Sequence, residues 1–155
     1  MRDACMKGKQ TRVSFKAKKC ISANRPLELL HMDLFGPMRI LSIGGKSCVL
    51  VVVADYSRFT WVAFPAHKKD AFDAFKSLYK KLQNEKGLLI VSIRIDHGGE
   101  FENNDFKDFC IEHGIDHNFS TPRTPQQNGV VERKNHTIEE MARTMLCKND
   151  LPKSF

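Results

Sequence analysis

The stretch Cys48-Val49-Leu50-Val51-Val52-Val53-Ala54 decides how the chain is read. It is an unbroken apolar run, short for a helix and rich in β-branched side chains, so it reads as a strand. A strand with one wet face would alternate apolar and polar residues. The absence of alternation implies burial on both faces and a central place in a covered sheet. Working outward, Asp55-Tyr56-Ser57-Arg58 turns the chain and Phe59 to Phe64 gives another strand. Upstream, Leu29 to Phe35 reads as a strand stopped by Pro37, and Ile43-Gly44-Gly45-Lys46 is a turn signal. The short connections make these three strands an antiparallel meander.

Downstream the pattern changes. From Asp70 to Lys86, Phe72, Phe75, Leu78 (or Tyr79) and Leu82 recur at helical spacing with lysines opposite, and Gly87 ends the helix. Leu88 to Ile95 is a fourth strand with a polar end, Asp96-His97-Gly98-Gly99-Glu100. Strand, helix and strand in succession imply a crossover, which makes the fourth strand parallel to an earlier one. Asn103 or Asn104 caps a second helix with Phe106, Phe109 and Cys110 as its buried stripe and Gly114 as its stop. Ile115 to Phe119 is a short fifth strand, and Thr121-Pro122-Arg123-Thr124-Pro125-Gln126-Gln127-Asn128 is a loop. A long helix follows from about Gly129 to Cys147. Val131, Ile138, Met141 and Met145 form its apolar stripe, with Glu132, Asn135, Glu139 and Arg143 on a neighbouring face. The order is βββαβαβα, an α/β class without internal repeats. Leu151-Pro152-Lys153-Ser154-Phe155 reads as the entry to a further element, so the chain is expected to be truncated at both ends.

Charge divides the chain in two. Residues 1–25 carry Arg2, Lys7, Lys9, Arg12, Lys16, Lys18, Lys19 and Arg25 against Asp3 alone, and so hold the whole net charge of +7. Residues 26–155 balance 17 basic against 17 acidic residues. A neutral domain with a basic arm fits an anionic partner, nucleic acid first, or a solvated tail that aids solubility. No apolar run approaches the roughly 20 residues of a membrane span, and the polar N-terminus is unlike a secretory signal. The five dispersed cysteines (Cys5, Cys20, Cys48, Cys110, Cys147) fit reduced thiols in the cytosol or nucleus. Cys5 has Arg2 where a C-x-x-C partner would stand, so no zinc site is expected.

Sites in sheets with parallel strands gather beyond the carboxyl ends of those strands. Asp33 lies near that end of the first strand and Asp96 at that end of the fourth. Asp55 ends a strand running the other way and is expected at the opposite edge. Two adjacent aspartates and a helical Glu132 would repel one another without cations among them. Hard oxygen ligands with room for water and phosphate suit Mg²⁺ or Mn²⁺. A pair of such ions supports phosphoryl transfer. The bland alternative is that each is an ordinary solvated carboxylate. His31, His97, His113, His117 and His136 read as polar surface or packing residues, although His31 shares the strand face of Asp33 and His97 follows Asp96.

Four blocks together resemble the integrase catalytic core of copia-type retrotransposons. They are Leu30-His31-Met32-Asp33-Leu34-Phe35-Gly36-Pro37, Asp55-Tyr56-Ser57-Arg58, Arg94-Ile95-Asp96-His97-Gly98-Gly99-Glu100-Phe101 and Asn128-Gly129-Val130-Val131-Glu132-Arg133-Lys134-Asn135. The resemblance implies a ribonuclease H-like fold, a five-stranded mixed sheet with helices on both faces. It implies that Asp33, Asp96 and Glu132 are a catalytic triad holding two Mg²⁺ (or Mn²⁺) ions. It further implies a polynucleotidyl transferase within a Pol polyprotein, joining the element's DNA ends to target DNA by strand transfer. On this reading Asn128, Arg133, Lys134 and Asn135 contact DNA, with Asn135 orienting Glu132 or a nearby phosphate. Lys7, Lys9 and Arg12 of the arm add phosphate contacts. Residues 1–25 then correspond to a remnant of the family's zinc-binding segment and 26–155 to the catalytic core. The full-length protein is expected to be a homo-oligomer acting in the nucleus after import from the cytoplasm, with no membrane partner. The rivals are a catalytically silent nucleic-acid-binding fragment and another ribonuclease H-like nuclease.

Overall fold

The strand β2 (Val49–Ala54) is buried along nearly all its length, as its apolar run requires. This is seen in a computed structural model that describes residues 23–39, 41–42, 44–95, 99–119 and 129–150. The other strands are β1 (Leu29–Phe35), β3 (Thr60–Ala63), β4 (Ser92–Ile95) and β5 (Asp116–Phe119). The helices are α1 (Ala71–Lys86), α2 (Asn104–Glu112) and α3 (Gly129–Lys148), with a 3₁₀ turn over Lys68–Asp70 before α1. The sheet order is β3-β2-β1-β4-β5. β2 is thus interior, but the centre of the sheet is β1. The meander β1-β2-β3 is antiparallel, and β4 and β5 add in parallel on the other side of β1.

Side-chain alternation on β1 and β2 sorts the two faces. Leu30, Met32, Leu50, Val52 and Ala54 point into the larger core, where they meet Phe75, Tyr79 and Leu82 of α1 and Phe106 and Cys110 of α2. Edge-to-face contacts of Phe72 with Phe106 and Phe109 tie the two helices together. Val51 and Val53 point the other way and pack against Val131 of α3, with Phe35, Val49, Val130 and Ile138 around them. Helices therefore cover both faces.

Boundaries depart from the sequence reading where pairing partners run out. β4 starts at Ser92, not Leu88, because its ladder with β1 begins at Leu29 opposite Ser92. Ile90 is still buried, but its N–H is satisfied by Gln83 Oε1 at 3.2 Å. Phe59 and Phe64, expected in the third strand, lie outside β3 and are each 58% exposed at the sheet edge. Of the two candidate caps, Asn103 closes α2: its Oδ1 accepts from Phe106 N–H at 2.8 Å. Gly87 ends α1 with φ +61, a conformation other residues adopt at a cost. The expected stripe of α3 holds only in its first half. Val131 is buried and Ile138 half-buried, but Met141 and Met145 are 53% and 58% exposed, beyond the sheet that α3 crosses.

Candidate active site

β1 carries Asp33 to the end of the sheet where the parallel strand β4 also ends. Met32 faces Ile95 across the ladder, so the next residue in sequence after each is an aspartate, Asp33 and Asp96. Asp96 and His97 lie outside the described residues, as do Asn128, Lys7, Lys9 and Arg12. Asp55 is at the other edge, as its strand direction requires. Its N–H donates to Leu29 O at 2.9 Å, at the start of β1. The four residues from Leu29 to Asp33 put about 13 Å of strand between the two aspartates' neighbourhoods.

α3 crosses β1 and β2 and brings two more site residues to the Asp33 end. Asn135 Nδ2 donates to Asp33 Oδ2 at 2.5 Å, between residues 102 apart in sequence. Glu132 stands one turn earlier on the same side of the helix and is exposed. The expected partner of Asn135 is Glu132 or a phosphate, and the observed one is Asp33. The physical reason is helix geometry: Asn135 sits over β1, while Glu132 is rotated outward toward solvent. Asn135 Oδ1 is buried and accepts no hydrogen bond from the described residues. An orphan acceptor beside a carboxylate needs a donor, and water held by a cation supplies one. Asp33 and the orphan Asn135 Oδ1 are thus hard oxygen donors of the kind a divalent ion takes, while among the described residues, which leave out Asp96, no group of three acidic, histidine or cysteine side chains able to hold an ion is formed.

Other charges on and beside the sheet are already committed. Lys68 Nζ pairs with Glu100 Oε1 at 2.6 Å, and that bond raises the lysine's pKa. His31 is buried on the Asp33 face, with Nε2 3.1 Å from Asp55 Oδ1. Burial holds its pKa below the usual value, against the opposing pull of Asp55. It is therefore a packed histidine, in line with the bland reading of it. Asp55 in turn lies 3.3 Å from Arg58 Nη1.

Arg58 is a residue that sequence reasoning does not single out. It closes the block Asp55-Tyr56-Ser57-Arg58, yet its side chain shares a cleft with Arg133 and Lys134. The one available signal is the i, i+3 spacing of Asp55 and Arg58 in a turn. Arg133 and Lys134 follow Glu132 in sequence but occupy a different side of α3.

The chain matches the family described as "Integrase core domain" over residues 23–125 of its 155. It belongs to that integrase core family. It is 40% identical over 153 residues to the retrovirus-related Pol polyprotein from transposon TNT 1-94 of Nicotiana tabacum, covering 99% of this chain and 11% of that protein. It is 34% identical over 155 residues to the corresponding polyprotein from transposon RE2 of Arabidopsis thaliana, covering 97% and 10%. This integrase core thus spans about a tenth of the length of these relatives. Among solved structures, it superposes on a chain of the simian T-cell lymphotropic virus intasome in complex with PP2A regulatory subunit B56 gamma. The TM-score is 0.65 at 18% identity, covering 82% of this chain and 44% of that one. The HTLV-2 integrase catalytic core domain in complex with magnesium gives a TM-score of 0.60 at 22% identity, covering 82% and 78%. At those identities the likeness is one of fold, the ribonuclease H-like α/β sheet described above.

Proposed function

We propose that this integrase core performs DNA strand transfer, using Asp33, Asp96 and Glu132 as its catalytic carboxylates. The observation that carries the reading is the hydrogen bond from Asn135 to Asp33, which ties the helix bearing Glu132 to the strand bearing the first aspartate. The register of β1 and β4 supports it further, because the sequence continues from Ile95 directly into Asp96. Magnesium in the HTLV-2 core supports the ion, and the transposon Pol relatives support the DNA substrate.

In the proposed reaction, the 3′-hydroxyl of an element DNA end attacks a phosphodiester of target DNA. One P–O bond forms and one breaks, and the departing 3′-oxygen takes up a proton. A pair of Mg²⁺ ions, when bound, supplies activation of the attacking oxygen and stabilisation of the leaving one. The chain's own part is positional. Asp33, Asp96 and Glu132 hold the ions, Asn135 fixes the Asp33 carboxylate, and Asn128 meets the DNA end from the loop before α3. Arg133, Lys134 and the arm residues Lys7, Lys9 and Arg12 bind phosphates, which adds affinity more than sequence choice. The same proposal takes residues 1–25 as an arm separate from the core at 26–155. It takes the nucleus as the place of action and a homo-oligomer as the working state of the full-length protein.

The test mixes the purified chain with a labelled DNA end, plasmid target and Mn²⁺, beside a Glu132→Gln variant. Joined products in the first and none in the second are expected. DNA binding without joining in either protein would favour the silent fragment. Cleavage of the RNA strand of an RNA–DNA hybrid would favour a nuclease that uses water.

A further inference from the structure

We propose that a second phosphate-binding site lies on the far flank of α3 from Glu132, built around Arg58, and that it holds the DNA backbone a few nucleotides from the reacting phosphate. The proposal rests on the strand-transfer reading for its register but not for its binding chemistry. The site is a cleft of about 240 Å³ between α3 and the β2–β3 turn, lined by Val53, Arg58, Val130, Arg133, Lys134 and Thr137. Three of the six are cations and none is an acid.

Each cation is arranged differently. Arg58 has φ +58, in the left-handed region where a turn ordinarily prefers glycine or asparagine. A strained arginine in place of an easier residue points to a use for its side chain. Its backbone N–H donates to Ala54 O at 2.9 Å, which closes the turn. Its guanidinium is anchored 3.3 Å from the buried Asp55 carboxylate, and its side chain is nonetheless 46% exposed. One edge of the fork is held, which leaves the other N–H donors for a ligand. Arg133 folds back along α3: a Cβ placed on Gly129 would meet its Nη1 at 3.0 Å. Neither Arg133 nor Lys134 has an ion pair or side-chain hydrogen bond among the described residues. Uncompensated cations converging beside an anchored arginine suit a phosphodiester, whose single negative charge is shared over two non-bridging oxygens that a guanidinium and an ammonium can both reach.

Helix geometry fixes where this lies relative to the carboxylates. At 100° per residue, Val130, Lys134 and Thr137 project roughly 140–160° around α3 from Glu132. Around the helix the two sites are thus about one helix diameter, ~10–12 Å, apart. Asp55, which anchors Arg58, lies about 13 Å along the strand from Asp33, so the cleft is on the order of 13–17 Å from the carboxylates. DNA advances about 3.4 Å along its axis per nucleotide of one strand, so the two sites lie about four to five nucleotides apart on a strand that crosses both.

The test measures binding of the whole chain to a labelled duplex whose phosphates are neutralised one at a time by methylphosphonate. In the unaltered chain, one position about four to five nucleotides from the joined phosphate is expected to cost severalfold in affinity. In Arg58→Gln, affinity is severalfold lower overall, the salt slope falls by about 0.9, and the loss at that one position disappears. Lys134→Gln, which breaks no ion pair, is expected to behave in the same way and covers the case in which Arg58→Gln fails to fold. Lys148→Gln, at the other end of α3, should lower affinity without erasing the positional loss. Persistence of the same positional profile in both cleft variants overturns the proposal, as does tighter binding to RNA of the same sequence. Joining that depends on Glu132 without this coupling sinks the cleft alone. Coupling without any joining sinks the strand-transfer reading and leaves the cleft standing.

Discussion

Asn135 links two elements through one side-chain hydrogen bond, and its removal separates its structural and chemical roles. Asn135→Ala takes away a donor that orients the Asp33 carboxylate, of the kind whose loss costs about 10–100-fold in metal affinity or activity. The expected result is a loss of joining of that size with a nearly unchanged melting temperature. Asn135→Asp should be worse, because it sets a second carboxylate against Asp33. A full-rate Asn135→Ala enzyme would show that Asp33 needs no such support. Cys110 offers a test of the core at the same scale. Burial pushes its thiol up to about 11 from an ordinary 9.0. The raised value means that the folded state keeps a proton which the unfolded state gives up. Its contribution is complete below pH 9.0 and is lost as pH rises toward about 11. Urea midpoints measured at about pH 8 and pH 10 should fall more steeply for the unaltered chain than for Cys110→Ala. Equal slopes would place the thiol in water.

The helix α3 has two halves with different energetics. Val131 is fully buried against Val51 and Val53, so Val131→Ala removes two buried methyl groups and should cost about 2 kcal/mol. Met145 is 58% exposed, so Met145→Lys should shift stability by no more than about 0.5 kcal/mol. Denaturant titrations of the two variants check this, and a large loss at Met145 would mean that the second half of the helix is packed. The sequence pattern could not separate them, because valine and methionine score alike in a periodic stripe. What differs is whether a sheet lies beneath. The same reasoning explains the rest of what was legible. The order of elements along the chain, the antiparallel meander and the helices followed from apolar runs and short connections, which are local, whereas the central place of β1 and the position of β5 at the edge did not. The start of β4 at Ser92 and the partner of Asn135 depend on contacts between segments distant in sequence. No spacing rule carries that information. Arg58 was invisible for a third reason: a left-handed backbone at an arginine contradicts the residue preferences by which turns are recognised.

At the scale of the whole molecule, charge is segregated. Residues 26–155 are electrically balanced, and the arm at 1–25 holds +7. On the strand-transfer proposal, a balanced domain would gather DNA only through local clusters such as the Arg58 cleft, whereas the cations of residues 1–25 would add phosphate contacts of their own. Deleting residues 1–25 should therefore change the form of the binding curve and not only its midpoint. Each DNA phosphate that the protein ceases to neutralise takes about 0.9 from the slope of log affinity against log salt concentration. With several arm cations engaged, the deletion should cost much affinity near 50 mM salt and little near 200 mM, where counterion release contributes less. The remaining slope belongs to the core and should drop again with Lys134→Gln, since the two groups lie on separate parts of the chain and their effects should add. Anisotropy titrations at several salt concentrations read both quantities. An unchanged slope after the deletion would mean that the arm stays in solvent, and that the cationic surface of the folded domain alone carries the DNA.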